Sequence, residues 1–403
     1  MANELATAST NTEKSKVALC LSGGGYRAAL FHLGGLRRLH ELGILQQIDT
    51  ISSVSGGSII SAFLAKIMVE NNIQRGLRFE NWETQVAVPF RRFVLNDIRT
   101  IPVFAHLLWN WAMPSFRASH LARYYKNRLS NLKLNELPEK PEFIFCATDL
   151  TFGVNWEFRR HRVGDYQVGY CRPDDKWTLA SAVAASSCFP PIFGPVRLKL
   201  KTSDFRYGRY RKPDREVLLS KLSLTDGGVY DNLGLEPVRK HNIIFVSDGG
   251  APFGYVYPGN VLSRTVRYTM TMLNQVQALR KRMLHTEIKR KYLQGAYWSL
   301  NYFSSKTDGD HDFIGYNQQL VTDKITKIRT DLDRFNEAEA RILENHGYFA
   351  ANAQILKSAP ELISANAPPI TTPSMDWVSE AIIYKALKNS HKRITISRLL
   401  RLK

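Results

Sequence analysis

The chain has 403 residues, 44% of them hydrophobic and 11% aromatic, so it can bury a large core without disulfides or a structural metal. Its 55 Lys and Arg against 36 Asp and Glu give a formal net charge of +19, which favours polyanionic partners, either phospholipid surfaces or nucleic acid. The four cysteines, Cys20, Cys146, Cys171 and Cys188, are widely spaced and lack the paired spacing of zinc sites, so we expect reduced thiols in a reducing compartment.

The N-terminal residues 1–16 are polar and lack the apolar stretch of a secretory signal, so we expect a disordered lead-in there. A run of about 18 uncharged apolar residues, as a transmembrane helix needs, occurs nowhere in the sequence. These features predict a cytoplasmic protein whose contact with a membrane is peripheral, at the inner membrane surface.

Two strand-turn-helix units open the chain. Val17–Leu21 is typical of a buried strand, and the Gly-rich stretch Ser22–Gly25 leads into a helix that stops near Gly43. Ile44–Ile51 is predicted to return to the sheet, and the sharp turn Ser53–Gly57 leads into a second amphipathic helix. Two such units in succession predict a parallel sheet with right-handed crossovers, with ligand sites at the carboxyl ends of its strands.

Later segments contain further predicted strands, and a mainly helical region follows them. Phe143–Ala147 and Ile243–Val246 are typical of buried strands, so the core is expected to extend to about residue 250. The apolar stripe from Leu262 to Met283 predicts a helix. Ser358–Ser374 has the composition of a surface connection, and a last helix is expected over Asp376–Leu387.

The domain organisation predicted from these elements is one elaborated domain. Residues 17–255 form its catalytic core, with insertions near 75–120 and 199–221. Residues 256–403 form a mainly helical C-terminal extension packed on the core, ending in a basic tail.

Ser55 lies where a nucleophile is expected. In a nucleophile elbow a serine occupies a strained turn between strand and helix, and its neighbours must be small. Ser53, Gly56 and Gly57 meet this requirement, although Ser53 stands where the usual motif has glycine. For this motif taken alone, an ordinary turn is the more frequent explanation.

A second motif, Gly23-Gly24-Gly25-Tyr26-Arg27, precedes Ser55 by about thirty residues and also follows a predicted strand. Glycines let backbone amides approach the oxygen that becomes negative during acyl transfer, and Gly24 and Gly25 are the main candidates. Phosphate binding at a helix start is the competing interpretation. The sequence lacks both the dinucleotide fingerprint and the Lys-Ser/Thr ending of a phosphate loop.

Together with Asp226-Gly227-Gly228, these two motifs resemble the three signature blocks of patatin-like phospholipases, in the same order and with similar spacing. The resemblance spans roughly Val17 to Gly250. Further matching segments lie between and after the blocks: Cys146–Leu150, Ala185–Pro191 and Val229–Gly234.

The resemblance implies a three-layer α/β/α fold with a mainly parallel central sheet and helical additions. It also implies a Ser-Asp dyad of Ser55 as nucleophile and Asp226 as the catalytic base, and no metal or organic cofactor. An ester bond in a phospholipid, or second in a neutral glycerolipid, would be hydrolysed through an acyl-Ser55 intermediate. The Gly-rich residues Gly23, Gly24 and Gly25 would form the oxyanion hole, with Arg27, Gly56, Gly57, Gly227 and Gly228 in support.

Some residues compete with this assignment. His32, His161 and His241 could belong to a histidine triad, but none stands in a triad motif. Asp248-Gly249-Gly250 repeats the aspartate motif without its continuation, and we interpret it as a turn at a strand end. Asp308–Asp312 is acidic but lacks the spacing of a calcium loop, so a solvated loop is expected.

Arg27 allows two interpretations of equal weight. Its guanidinium could position a phosphate, or it could support the Gly-rich loop.

Three segments mix basic and aromatic or apolar residues in a way that suits a membrane interface. For the first, between Phe90 and Phe116, ordinary helical core over the sheet is at least as good an explanation, and a mobile lid over the acyl pocket would combine both. The second, Phe205–Lys212, could bind headgroups, a regulator or no ligand. The third is the tail from Lys388 to Lys403, for which a solvated basic tail without a partner is the alternative. Each cation near an anionic bilayer contributes about 1 kcal/mol of attraction.

The alternative to an enzyme is a catalytically silent, basic module that binds membrane, nucleic acid or a signalling ligand. The intact Ser55, Asp226 and Gly-rich loop argue against it. Nucleic acid is the less favoured partner, because the chain has charge but no nucleic-acid-binding motif. A protein or small-ligand activator is compatible with the sequence, although no motif specifies one.

Overall fold

The computed structural model describes residues 16–73, 76–98, 115–190, 193–255, 257, 259–304 and 315–392. The predicted lead-in before Lys16, the acidic segment Asp308–Asp312, much of the insertion near 75–120 and the last eleven residues of the basic tail lie outside them.

The described residues form one mixed sheet in the order β10-β9-β1-β2-β3-β4-β5-β6, with β8 paired to β3 and β7 paired to β8. The strands from β10 to β3 run parallel, and the remaining pairings are antiparallel. The strands are β1 Val17–Leu21, β2 Thr50–Val54, β3 Glu142–Asp149, β4 Val154–Phe158, β5 Val163–Asp165, β6 Gly169–Cys171, β7 Val196–Arg197, β8 Ser223–Asp226, β9 Ile243–Asp248 and β10 Gln294–Ser299.

Helices cover both faces of this sheet. Within the described part of the chain they are α1 Gly25–Glu41, α2 Gly56–Glu70, α3 Val88–Val94, α4 Ser115–Arg128, α5 Leu179–Ser187, α6 Arg215–Ser220, α7 Gly228–Asp231, α8 Val261–Lys289, α9 Gln318–Asp323, α10 Glu337–Ser358 and α11 Glu380–Ala386. No helix among the described residues is both long and apolar enough to cross a bilayer.

Successive side chains of the strands point to opposite faces of the sheet, and they contribute to two hydrophobic cores of unequal size. Leu19 of β1 and Phe245 of β9 point into the larger core, shared with α1, α2 and α10. The residues next to them, Cys20 and Val246, point to the other face, where the smaller core includes Leu284 of α8. The predicted three-layer α/β/α fold is therefore confirmed, with one thick and one thin helical layer.

Most predicted elements are present, but two boundaries are wrong. The apolar stretch after Gly43 first forms a 3-10 turn, Leu45–Gln47, and β2 begins only at Thr50. Leu45 is fully buried in this turn, so the apolar run reflects burial rather than strand geometry. The last helix is also shorter than predicted, because a 3-10 turn, Met375–Trp377, precedes α11.

Candidate active site

Strands β2 and β8 bring Ser55 and Asp226 together by sharing one edge of β3. Val54, the residue before Ser55, is paired with Cys146. Asp226, the last residue of β8, is paired with Ala147, the next residue of β3. The end of β2 and the end of β8 therefore meet at one point, at the carboxyl edge of the parallel strands.

Ser55 has the backbone geometry of a nucleophile elbow. Its φ of 50° and ψ of −115° lie in a region that side chains other than glycine rarely adopt. The amide of Ser55 donates a 3.0 Å hydrogen bond to Oγ of Ser186. The Ser186 hydroxyl in turn donates to the carbonyl of Cys146 at 2.6 Å, which ties the elbow to β3.

Ser186 is a functional residue that the sequence analysis missed. It lies in the segment Ala185–Pro191, which resembles the family sequence but carries no recognised catalytic motif. Its side chain also contacts Ser58 Oγ at 2.8 Å. Its carbonyl accepts a 3.3 Å hydrogen bond from the amide of Gly227. One buried residue thus holds both the serine turn and the aspartate turn in place.

Asp226 is buried and only partly hydrogen bonded. Its Oδ1 accepts a 2.7 Å hydrogen bond from the Gly228 amide, whereas Oδ2 has no partner of ordinary geometry among the described residues. Burial raises the pKa of Asp226 to about 7, and hydrogen bonding by the Gly228 amide and the Ser55 hydroxyl lowers it in part. Oδ2 therefore remains available to accept a proton from a neighbouring hydroxyl.

The Gly-rich loop packs backbone to backbone against the elbow. A methyl carbon built on Gly56 would lie 2.1 Å from the carbonyl oxygen of Gly25, so the turn admits only glycine there. A methyl carbon built on Gly57 would likewise lie 2.2 Å from the carbonyl oxygen of Leu21 in β1. Both positions of this turn are therefore sterically restricted to glycine.

The amides of the loop differ in their availability. Gly23 donates a 3.1 Å hydrogen bond to the carbonyl of Asn232, so its N–H is already occupied. Gly24 and Gly25 have φ of 144° and 61°. Their amides form no hydrogen bond to an acceptor within the described residues.

Asn232 is a second residue that the sequence analysis did not single out. Its side-chain Oδ1 lies against both Gly23 and Gly228, where an added methyl carbon would come within 2.3 and 2.6 Å of it. Asn232 therefore fills the space between the Gly-rich loop and the Asp226 turn. The sequence offered one signal, because Asn232 falls within the matching segment Val229–Gly234.

Arg27 supports the loops. Its buried guanidinium donates to the carbonyl of Gly249 from Nε and Nη2, at 3.3 and 3.2 Å, and to the carbonyl of Ile328 from Nη1 at 2.9 Å. Burial lowers the pKa of Arg27 to about 10, which still leaves it charged at neutral pH. Of the two predicted roles, these contacts favour loop support over phosphate positioning.

The second Asp-Gly-Gly motif has a different environment. Oδ2 of Asp248 forms a 2.6 Å ion pair with Lys281 and accepts a 2.7 Å hydrogen bond from Tyr297. Burial alone would raise the pKa of Asp248, but Lys281 and the hydrogen bonds hold it below the usual range. Asp248 is thus a paired carboxylate at the end of β9, in agreement with its interpretation as a strand-end turn.

Two of the three histidines considered for a triad, His32 and His241, have other partners. The ring of His32 contacts Ser247 Oγ at 2.7 Å and the carbonyl of Ser22 at 2.9 Å. Burial lowers its pKa to about 4, so the ring is neutral at physiological pH. His241 contacts the carbonyl of Val238 and the hydroxyl of Thr50. Within the described residues, neither His32, His161 nor His241 is hydrogen bonded to Ser55 or Asp226.

The segments predicted to contact a membrane contain both buried and exposed aromatic residues. Phe90 and Phe93 are buried in the larger core, while residues 99–114 lie outside the described residues. Phe205 is buried, whereas Tyr207 is exposed at the rim of a cavity of about 890 Å³. All four cysteines are buried and free, and no cluster of metal ligands occurs in the part of the chain that the structure describes.

Comparison with known families identifies the class of protein that this fold and site define. The family model described as patatin-like phospholipase matches residues 19–239, which is more than half of the chain. The chain therefore belongs to the patatin-like phospholipase family. The match includes the Gly-rich loop, Ser55 and Asp226, and it ends before β9.

Solved structures to which the chain shows similarity include human GIVD cytosolic phospholipase A2, at 14% identity and a TM-score of 0.46, covering 94% of this chain and 63% of that one. The same human enzyme in complex with methyl gamma-linolenyl fluorophosphonate and terbium chloride matches at 13% identity and a TM-score of 0.47, covering 94% and 60%. VipD from Legionella pneumophila matches at 14% identity and a TM-score of 0.37, covering 86% of this chain and 67% of that one.

The chain spans about three-fifths of the length of the human enzyme. A comparison with curated protein sequences gave no match.

Proposed function

We propose that the protein is a lipid acyl hydrolase that cleaves ester bonds of glycerolipids with a dyad of Ser55 and Asp226. The observation that carries this proposal is the shared edge of β3, where the strained serine turn and a buried, half-bonded carboxylate meet. Membership of the patatin-like phospholipase family supports the substrate class.

Attack on the ester begins with proton transfer from the Ser55 hydroxyl to the free oxygen of Asp226. The serine oxygen bonds to the ester carbonyl carbon and forms a tetrahedral intermediate. Its collapse breaks the ester bond, and the protonated Asp226 returns the proton to the leaving alcohol.

In the second half, water gives a proton to Asp226 and attacks the acyl-Ser55 ester. The fatty acid leaves and Ser55 recovers its proton. Each half-reaction thus starts and ends with an ionised Asp226.

A base that must accept and return a proton at each step works best with a pKa near the operating pH. The pKa of about 7 that burial gives Asp226 fits this requirement, whereas an exposed aspartate would be too weak a base. The pKa of Asp248 is lowered, which makes it a poorer candidate for the same task.

The tetrahedral oxyanion needs donors that are not already engaged. The amides of Gly24 and Gly25 meet this condition, whereas the amide of Gly23 is bonded to Asn232. We therefore assign the oxyanion hole to Gly24 and Gly25 and give Gly23 a positioning role. Ser186, Asn232 and Arg27 hold the three turns around them.

Phospholipid is the favoured substrate and neutral glycerolipid the next, with an anionic membrane surface as the site of encounter. The net charge of +19 supports attraction to such a surface. The four free, buried cysteines support a location in a reducing compartment such as the cytoplasm.

Hydrolysis of mixed phospholipid vesicles tests the proposal, with released fatty acid quantified by mass spectrometry. Ser55→Ala and Asp226→Asn should each lower the rate of hydrolysis at least a thousandfold. Asp248→Asn, which changes the corresponding residue of the second Asp-Gly-Gly motif, should keep the rate within tenfold of the wild-type value. Circular dichroism confirms that each variant is folded. Activity retained in Ser55→Ala would refute the mechanism, and inactivity of the folded wild type would favour the silent binding module.

A further inference from the structure

Helix α8 leaves most of its surface in contact with solvent. It has 29 residues, and among its described side chains only Leu284 is buried. Large apolar side chains are exposed along its length, with 72% of Val261, 62% of Met272 and 54% of Leu279 accessible to solvent. Exposed apolar residues are ordinary when scattered, but here they recur along one helix.

Six of the seven exposed large apolar side chains of α8 form a single stripe. At about 100° of rotation per residue these six fall within roughly 80° of the helix circumference, whereas Val266 lies on the side of Leu284. The stripe lies about 120° around the axis from Leu284, the residue that packs on the sheet, so it is a second apolar face. Its members are Val261, Tyr268, Met272, Val276, Leu279 and Met283.

The stripe extends past the edge of the sheet that carries the active site. Lys281 of α8 pairs with Asp248, the last residue of β9, at the carboxyl edge. After Lys289 the chain enters β10 at Gln294, which is paired with Ile243 at the opposite edge. The twenty residues before Lys281 therefore run beyond the carboxyl edge, over about 30 Å at 1.5 Å per residue.

The charges on α8 select an anionic partner. The helix has six basic residues and one acidic residue, Glu287. Arg280 and Lys281 are engaged with acids of the core, but Arg264 and Arg282 are exposed along one side of the stripe. Two copies of the helix packed stripe to stripe in antiparallel orientation would bring these arginines together, which disfavours that mode of self-association.

The segment leading into α8 adds aromatic side chains at the same edge. Tyr255 and Tyr257 are almost fully exposed, and Phe253 lies under the guanidinium of Arg267 at 3.8 Å from its ring centroid. Exposed tyrosines beside arginines and an apolar helical face are the composition of elements that lie in a bilayer interface.

We propose that α8 and the aromatic segment before it form a docking arm that lies in the surface of an anionic bilayer and holds the Ser55–Asp226 site against it. The arm does not cross the membrane, since no described helix has the length and apolarity for that. This inference rests on the proposed lipid hydrolase function.

The arm is fixed to the catalytic core at its inner end. Arg280 pairs with Asp231 at 3.5 Å and with Glu236 at 3.1 Å. Asp231 ends α7, the short helix that follows the Asp226 turn. A bilayer that orients the arm thereby also orients the turn that bears the base.

Binding and catalysis are tested separately. Full-length protein carrying Ser55→Ala is sedimented with vesicles of phosphatidylcholine alone or with 30% phosphatidylglycerol. Met272→Asp with Leu279→Asp should weaken binding to the anionic vesicles at least tenfold. Met272→Leu with Leu279→Met, and Leu356→Asp at an exposed apolar position of α10, should bind as well as the parent.

In proteins with Ser55 intact, the stripe variants should hydrolyse a soluble short-chain ester at the wild-type rate, while vesicle hydrolysis falls with binding. An unchanged melting temperature confirms folding. Equal vesicle binding of the Asp variant and its parent, or no binding by the parent, would overturn the docking arm. A parent dimer that the Asp variant converts to monomer in sedimentation velocity would show self-association instead. Failure of the Ser-Asp mechanism would leave these binding results unchanged.

Discussion

Ser55 and Asp226 reach each other through strands that pair with adjacent residues of β3, Cys146 and Ala147. The separation of these two residues, the proposed nucleophile and base, is therefore set mainly by backbone hydrogen bonding between strands. The chemistry proposed for them depends on the local environment of the two side chains.

The activity should depend on the ionisation of Asp226. Burial raises the pKa of this carboxyl to about 7, and only the ionised form can accept the serine proton. We expect kcat/KM on a soluble ester to rise about tenfold per pH unit below pH 7 and to level off above it. Asp248→Asn should give the same profile. A flat profile from pH 5 to pH 8 would exclude Asp226 as the titrating base.

The two Asp→Asn substitutions should change stability in opposite directions at pH 8. Because the pKa of Asp226 is raised in the folded state, its ionisation costs stability as pH rises from about 4 to 7. Asp226→Asn removes this cost, which is on the order of 4 kcal/mol at pH 8 and small at pH 4.

Asp248 has a lowered pKa and a partner in Lys281, so it contributes stability above pH 4 that is lost as the carboxyl protonates at lower pH. Asp248→Asn should cost about 2 kcal/mol at pH 8 and less in acid. Urea unfolding of the wild type and both variants at pH 3 and pH 8 measures the difference. Destabilisation by both variants at pH 8 would contradict the raised pKa of Asp226.

The strain at Ser55 should be measurable as stability. A side chain at φ 50° and ψ −115° costs roughly 1–3 kcal/mol, which glycine avoids. Glycine also gives the unfolded chain more conformational freedom, which lowers the stability of the folded state by about 0.4–1 kcal/mol. We expect Ser55→Gly to be about 1 kcal/mol more stable than Ser55→Ala, since alanine keeps the strain. Equal melting temperatures of these two inactive variants would mean that the turn relaxes without cost.

The contact between Gly56 and Gly25 should tolerate no side chain. Gly56→Ala places a methyl group 2.1 Å from a backbone carbonyl, so the loop must move, at a cost of about 2 kcal/mol or more. The shift would also displace the Gly25 amide and lower kcat. Gly254→Ala, where no atom lies within 4 Å of the added methyl group, is the matched control. Wild-type kcat in Gly56→Ala would argue against the oxyanion assignment.

Local patterns were sufficient to predict the parts of the site that are contiguous in sequence. Val17–Leu21 is β1 with the predicted bounds, and the turn at Ser55 lies between β2 and α2. A strand followed by glycines and an amphipathic helix has few other structures available to it, so these elements follow from short-range sequence alone.

Contacts between distant segments could not be predicted in the same way. Nothing near Ser186 or Asn232 indicates that one side chain bonds the Ser55 amide and the other fills the space between two glycine turns. The apolar residues of α8 predicted a helix correctly, but periodicity cannot tell a face that packs on the core from a second face left exposed.

The pairing of β9 with β1 has a consequence for synthesis of the chain. β1 is paired on one side with β2, only about thirty residues later, and on the other with β9, more than two hundred residues later. Until β9 has left the ribosome, β1 presents an apolar open edge. A chain truncated at residue 239, where the family match ends, would keep Ser55 and Asp226 but expose that edge permanently, and it should aggregate rather than fold.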